Sequence, residues 1–299
     1  MFKINKAGAI LAIALISGPI AAKAQIPVEK FSLRISAGYG SSGFGDLDKA
    51  EEGHNARLGD LANLLGFQKT GELSLPHWGL DLSGEIVLRI AERLDIGIGL
   101  GRLSRTKNDS EASIRQTSSG ALSLVRWTTS ASVVPLTFNA HYEIPVSPRL
   151  RGFLKAGLGC YFANLTLVSY GESDLLGVST WSRTTSRNRD FALGGQAGLV
   201  VEYGLSKALS CFVEGTWRFV NFGRWSSEYD YSSSSAEYRP TTSACWSAEG
   251  LNRDTGNFYP VFFFSDQEPV SANYQNVRKA EIDFSGWSVQ AGLKLRLGK

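Results

Sequence analysis

The stretch Ser132-Val133-Val134-Pro135-Leu136-Thr137-Phe138-Asn139-Ala140-His141-Tyr142-Glu143-Ile144 decides the fold. Side chains of an extended chain point alternately to opposite faces. Val134, Leu136, Phe138, Ala140 and Tyr142 therefore share one face, and Thr137, Asn139, His141 and Glu143 the other. The same two-residue period runs through 31–40, 79–90, 94–102, 150–163, 190–203, 209–221 and 284–297. In 79–90, Leu80, Leu82, Ile86, Leu88 and Ile90 oppose Asp81, Ser83, Glu85 and Arg89. The gaps between the eight runs alternate long and short. That is the connectivity of an antiparallel up-and-down barrel with tight turns on one rim and large loops on the other.

A soluble barrel or sandwich would bury the apolar face, whereas a membrane barrel would turn it to lipid and fill its interior with the polar face. Three features favour the membrane barrel. The runs last about 9–13 residues, the length a tilted strand needs to cross a bilayer. Tyr142, Tyr203, Trp217, Phe219 and Trp287 sit near run ends, where aromatic girdles belong. The polar face carries Gly38, Gly97, Gly99, Gly157 and Gly159, which leave room for large interior side chains. The fold expected is all-β, an eight-stranded antiparallel transmembrane barrel. Ten strands remain open, because 121–129 and 261–264 also read as strand.

The N-terminus fits this placement. Lys3 and Lys6, the apolar stretch 7–16 and Ala22-Lys23-Ala24 read as a cleavable secretory signal over 1–24, leaving 25–299 as the barrel. Removal of Lys3, Lys6 and Lys23 balances 28 basic against 28 acidic side chains, and nothing calls for nucleic acid. Cys160, Cys211 and Cys245 form no metal spacing and no disulfide framework. Short turns are expected at Glu92-Arg93, 145–149 and 204–208. Long external loops are expected at about 41–78, 103–131, 164–189 and 222–283.

Val134-Pro135-Leu136-Thr137-Phe138, Tyr142, a Pro-containing turn and Lys155-Ala156-Gly157-Leu158-Gly159-Cys160-Tyr161 resemble the middle hairpin of small outer-membrane barrels of the OmpA/OmpX type. Gln290, Gly292, Leu295 and Leu297 resemble the C-terminal strand signal that the barrel-assembly machinery reads. The chain departs from that signal in ending Leu297-Gly298-Lys299 rather than on an aromatic residue. The resemblance implies an outer-membrane location in a Gram-negative-type envelope, with lipid and the assembly machinery as partners. It transfers fold and location, not activity.

The interior face collects Arg34, Glu85, Arg89, His141, Glu143, Arg151, Lys155, Glu202, Glu214, Arg218, Lys294 and Arg296. These charges line either a porin-like passage or a salt-bridged plug. Eight strands leave a lumen just wide enough for side chains, which favours the plug. The first long loop holds the one expected helix, capped by Asp46 or Asp48 with Glu51 as capping-box partner and with Leu58, Leu61, Leu64 and Leu65 along one face. It reads as a lid over the barrel mouth or as a surface helix packed on neighbouring loops. Asp46 and Asp48 lack further calcium-ligand spacing.

The last loop gathers Trp225, Tyr229, Tyr231, Trp246, Phe262, Phe263 and Phe264. These either contact an external protein or glycan or form the core of a cap above the membrane. No motif organises the three histidines for catalysis, and His141 with Glu143 is the pair least unlike a catalytic one. The expectation is a non-catalytic barrel without cofactor, with a structural or surface-interaction role. A narrow passive pore and a lipid-acting barrel enzyme are the alternatives.

Overall fold

A computed structural model of the chain describes residues 31–116, 122–175, 178–235, 237–238, 241–242, 244–265 and 267–297. The signal segment 1–24 and the C-terminal Gly298-Lys299 lie outside the described residues. Eight strands form the wall: β1 (Phe31–Ser41), β2 (Trp78–Ala91), β3 (Leu94–Arg115), β4 (Leu122–Pro145), β5 (Leu150–Leu175), β6 (Val178–Gly204), β7 (Leu209–Phe222) and β8 (Gly286–Leu297). Each pairs antiparallel with its chain neighbour, and β1 closes the ring on β8 from Phe31↔Leu297 to Gly40↔Ser288. Closure leaves no membrane-level edge with unpaired backbone groups, which a strand in hydrocarbon requires.

The outward face carries Ile35, Leu82, Ile86, Ile98, Leu100, Phe138, Leu158, Leu193, Leu199 and Val213, all exposed. Together with Leu158 and Leu193, each 73% exposed, these side chains make an apolar outward band of the kind that marks a contact surface. At the outer end, Trp78 stacks on Tyr39 at 6.2 Å and meets Trp287 edge-on at 5.2 Å. Phe162 and Phe191 meet at 5.4 Å on the far side. Tyr142 and Tyr203 mark the inner end. Phe191 and Tyr203 are twelve positions apart on β6, which at the usual strand rise and tilt puts the two girdles about 30 Å apart.

The regions 103–131 and 164–189, expected as external loops, are largely strand. β3 and β4 continue together to Arg115↔Leu122, and β5 and β6 to Leu175↔Val178. Residues 122–129 extend β4 and add no hairpin. What changes is the outward chemistry, from apolar to Arg102, Ser132, Asn164, Arg189 and Asn221 at one boundary. Beyond it the outward face is polar and the inward face meets a mixed core. The apolar–polar alternation fades there although pairing continues, so hydropathy alone ended the strands too early.

The barrel carries a dome above this boundary. Its core joins inward residues of the wall (Leu103, Val133, Tyr161, Leu165, Val220, Phe222) to residues of the first and last loops (Phe44, Leu47, Leu75, Cys245, Ile282, Phe284). Within the last loop, 226–233 pairs with β6, while 245–251, 258–264 and 274–279 form a separate three-stranded sheet. Residues 261–264 belong to that small sheet and not to the wall.

The helix α1 spans Asp46–Leu65. It is not side-chain capped as expected: Gly45 occupies the N-cap position and no side chain bonds there. Asp46 instead accepts from the Glu281 N–H at 2.8 Å and pairs with Arg278, and Glu51 accepts from the Leu75 N–H at 2.9 Å. The acidic first turn thus serves tertiary contacts while still suiting the positive end of the helix. The buried face is Leu47, Ala50, Gly53, Leu58 and Ala62, whereas Leu64 and Leu65 are exposed. Leu58 and Ala62 share a cluster with Leu73, Ala112 and Ile114 on the β3 side. Gly53 lets the helix approach the small sheet, since a Cβ there would sit 2.2 Å from the Pro260 carbonyl oxygen.

Candidate functional site

All twelve interior charges expected from the strand faces enter ion-paired networks, arranged in tiers. At the inner end Arg89 Nε lies 2.7 Å from Asp95 Oδ1, and Arg89 also pairs with Glu143. Glu202 accepts from Lys294 Nζ at 3.1 Å and Arg296 Nη2 at 2.9 Å, and Arg151 lies 3.8 Å from Glu143. In the next tier Arg34 bridges Glu85 at 3.1 Å and Glu214 at 3.0 Å, its guanidinium 4.1 Å above the Phe212 ring. Lys155 reaches Glu214 at 2.6 Å and His141 Nε2 lies 2.9 Å from Glu85. The structure gives His141 to Glu85, and Glu143 to arginines, so the two do not form the pair weighed for catalysis.

Above them Ser36 and Ser83 donate to Gln290 Oε1 at 2.6 and 3.0 Å. The outermost tier joins Asp81 to Arg105 at 2.7 Å and to Arg218 at 3.1 Å. Asp81 lies on the polar face of its run, but neither of its partners follows from that face, and Arg105 lies in the stretch expected as external loop. Asp95, on the same kind of face, pairs with Arg89 and Lys294. Ion pairs of this kind satisfy charges that would otherwise cost several kcal/mol each to bury. The voids between tiers are about 50 Å³ beside Thr137, Gln196 and Gln290 and about 10 Å³ beside Phe153 and Lys294. Each is of a size that suits at most a few water molecules. The apolar dome core closes the outer end.

Two glycines of this interior are spatial requirements. A Cβ on Gly157 would lie 2.0 Å from Asn139 Oδ1, and one on Gly292 would lie 2.2 Å from the Ile35 carbonyl oxygen and 2.6 Å from the Phe212 ring. Of the C-terminal signal residues, Gln290 and Gly292 face inward, and Leu295 and Leu297 face outward.

The aromatic loop residues are distributed through the dome. Trp225 and Trp246 are buried, and Trp246 Nε1 donates to the Ser265 carbonyl at 3.0 Å. Phe263 stacks on Tyr274 at 5.3 Å. Phe262, Phe264 and Tyr229 are half-buried and turn toward a chamber of about 450 Å³. Its other walls include Leu47, Ala50 and His54 of α1, Val125 and Trp127 of β4, Leu167, Ser169 and Gly171 of β5, and Ser182, Thr184 and Ser186 of β6. Above it a recess of about 310 Å³ shares Val125, Gly171 and Ser182 with the chamber and adds Tyr231 and several serines. Trp127 and His54, which no pattern in the sequence singles out for this site, meet edge-on at 5.0 Å.

Burial, helped by nearby Arg57, lowers His54 to about 4. Burial pushes the Cys245 thiol up to about 12, although Ser227 Oγ lies 2.8 Å away. At the helix start, Asp48, Glu51 and His77 bring donor atoms within 4.8 Å of one another. Asp48 and Glu51 are, however, engaged by the Phe44 and Leu75 N–H groups, and burial raises both carboxyls above the usual range.

A closed antiparallel ring of eight strands, apolar outside and filled with paired charge inside, is a barrel of the outer-membrane type. No protein-family model and no curated protein matches the chain. Among solved structures, it is similar to Neisserial surface protein A, with 10% identity over 89% of this chain and 96% of that one and a TM-score of 0.36. It is also similar to the outer membrane protease OmpT of Escherichia coli, with 10% identity over 93% and 99% and a TM-score of 0.30. A Pseudomonas aeruginosa FadL homologue follows, with 6% identity over 89% and 90% and a TM-score of 0.19.

Proposed function

We propose that this chain is a non-catalytic outer-membrane barrel whose sealed wall holds a dome at the cell exterior, and that the dome carries a surface-interaction role. The observation behind this reading is the change at one level of the outward face. Below it the wall is apolar between two aromatic girdles; above it the same strands turn polar outside and enclose the dome core. A wall of that height suits a hydrocarbon layer. The signal-like N-terminus and the C-terminal strand pattern support export and assembly. The tiers of ion pairs argue against the passive-pore alternative, since a charge plug gives ions no open path.

The test is to express the full chain in a Gram-negative host and to purify it folded. The reading expects fractionation with the outer membrane, dome cleavage by external protease on intact cells, and no stable conductance steps in planar bilayers. Stable monomeric solubility without detergent, or regular conductance from the folded protein, would overturn it.

A further inference from the structure

The chamber in the dome differs in kind from the lumen beneath it. Its volume of about 450 Å³ lies within the span of small-molecule sites, about 300–1,000 Å³. None of its described lining residues is Asp, Glu, Lys or Arg. The one titratable base, His54, is neutral at physiological pH because burial suppresses its protonation. The inward face of the wall sets Trp127 of β4 beside a ladder of hydroxyls, Ser169 as its register partner on β5 and then Thr184 and Ser182 at alternate positions of β6. Phe262 and Phe264 of the small sheet add further flat apolar faces. None of these three hydroxyls has a hydrogen-bond partner among the described residues, whereas Ser186 at the foot of the ladder reaches the Leu167 carbonyl at 3.5 Å.

Unspent hydroxyls against an aromatic wall fix the chemistry that fits. A charged ligand would lose its hydration with no counter-charge to replace it. A purely apolar ligand would leave the ladder without partners. We propose that the chamber binds an uncharged amphiphile with a flat apolar body and a hydroxyl-bearing edge, its body against Trp127 and Phe262 and its edge on Ser182 and Thr184. The serine-lined recess above gives the polar end a way out of the chamber. This deepens the interaction reading above, and its test is separate from membrane fractionation and conductance.

The probe is 2-naphthyl β-D-glucoside, which is uncharged and fluorescent, titrated into the full chain in lipid nanodiscs, with empty nanodiscs subtracted. The matched anionic probe is 2-naphthyl β-D-glucuronide. Saturable binding of the glucoside with energy transfer from tryptophan is expected, with the glucuronide at least tenfold weaker. Thr184→Trp fills the chamber from the wall and Ala50→Trp from the helix, and each should abolish binding in protein that keeps its β-sheet circular dichroism and heat-modifiable migration. The Ser182→Ala/Thr184→Ala pair keeps the space and should weaken the glucoside about tenfold or more. Absence of saturable glucoside binding, equal binding of the glucuronide, or an unchanged affinity in the double alanine variant would overturn the proposal.

Discussion

Arg105 Nη1 lies 2.7 Å from Asp81 Oδ1, with both side chains fully buried where the membrane wall gives way to the dome. Arg218 takes the second oxygen of the same carboxylate at 3.1 Å. Asp81→Ala would strand two buried guanidinium groups, and should cost about 3–5 kcal/mol in urea unfolding of the detergent-folded barrel. Replacing Asp81, Arg105 and Arg218 together by apolar residues of similar volume should cost far less. A loss below about 1 kcal/mol in Asp81→Ala would mean that solvent reaches this tier.

This pair also shows where the sequence was legible. Between the two aromatic girdles the faces of each strand carry opposite chemistries, so alternation identifies all eight wall strands and the interior charges from Arg34 to Arg296. Above the boundary neither face is forced to one polarity, and Arg105 lay in a stretch that looked like loop. Pairing of the charges was equally hidden, since which cation meets Asp81 depends on register across the lumen. The helix was visible from its leucines, yet its docked face is Leu47, Ala50, Leu58 and Ala62 because its neighbours, and not its own periodicity, choose the face. The chamber was invisible because it is assembled from α1, three wall strands and two loop strands.

Gly292 belongs to the C-terminal strand pattern and also makes space for the Phe212 ring under Arg34. Gly292→Ala should destabilise the barrel by about 1–3 kcal/mol through overpacking. Refolding of purified chain into detergent, where no assembly machinery is present, should show this loss in full. Normal stability there with poor insertion in cells would assign Gly292 to recognition alone.

The three cysteines should separate by reagent. Cys245 is buried with its thiol pushed up to about 12, so it should resist labelling until the dome unfolds. Cys160 and Cys211 lie on the outward side of the wall. They should react with a lipid-soluble maleimide and resist a charged one, as read by mass spectrometry of the folded protein in bilayers. Rapid labelling of Cys245 by a charged reagent would show that the dome opens readily.

Docking of α1 should weaken in acid. His54 is held near 4, below its ordinary value of 6.5, so the undocked helix binds the proton more readily. Its contribution is complete above about pH 6.5 and fades as the pH falls toward 4. The Asp46 carboxyl, held below its usual range by Arg278 and the Glu281 N–H against the opposing effect of burial, loses its share only at lower pH. Asp48 and Glu51, raised by burial, act in the opposite direction near their own titrations. Trp127 fluorescence and proteolysis of 46–65 should therefore show loosening between pH 6.5 and 4, and His54→Gln should remove that step.

The unbroken course of β6 through the membrane boundary has a mechanical meaning. Of its 27 residues, thirteen steps separate Phe191 in the outer girdle from Val178 at the tip, which sets the rim about 30 Å above that girdle at ordinary strand rise and tilt. No hinge interrupts that height, since each step is paired on β5 from Leu150↔Tyr203 to Leu175↔Val178. On the proposed membrane placement, this makes the dome a turret with a fixed stand-off from the lipid, so that a ligand would reach its chamber at one distance and one tilt.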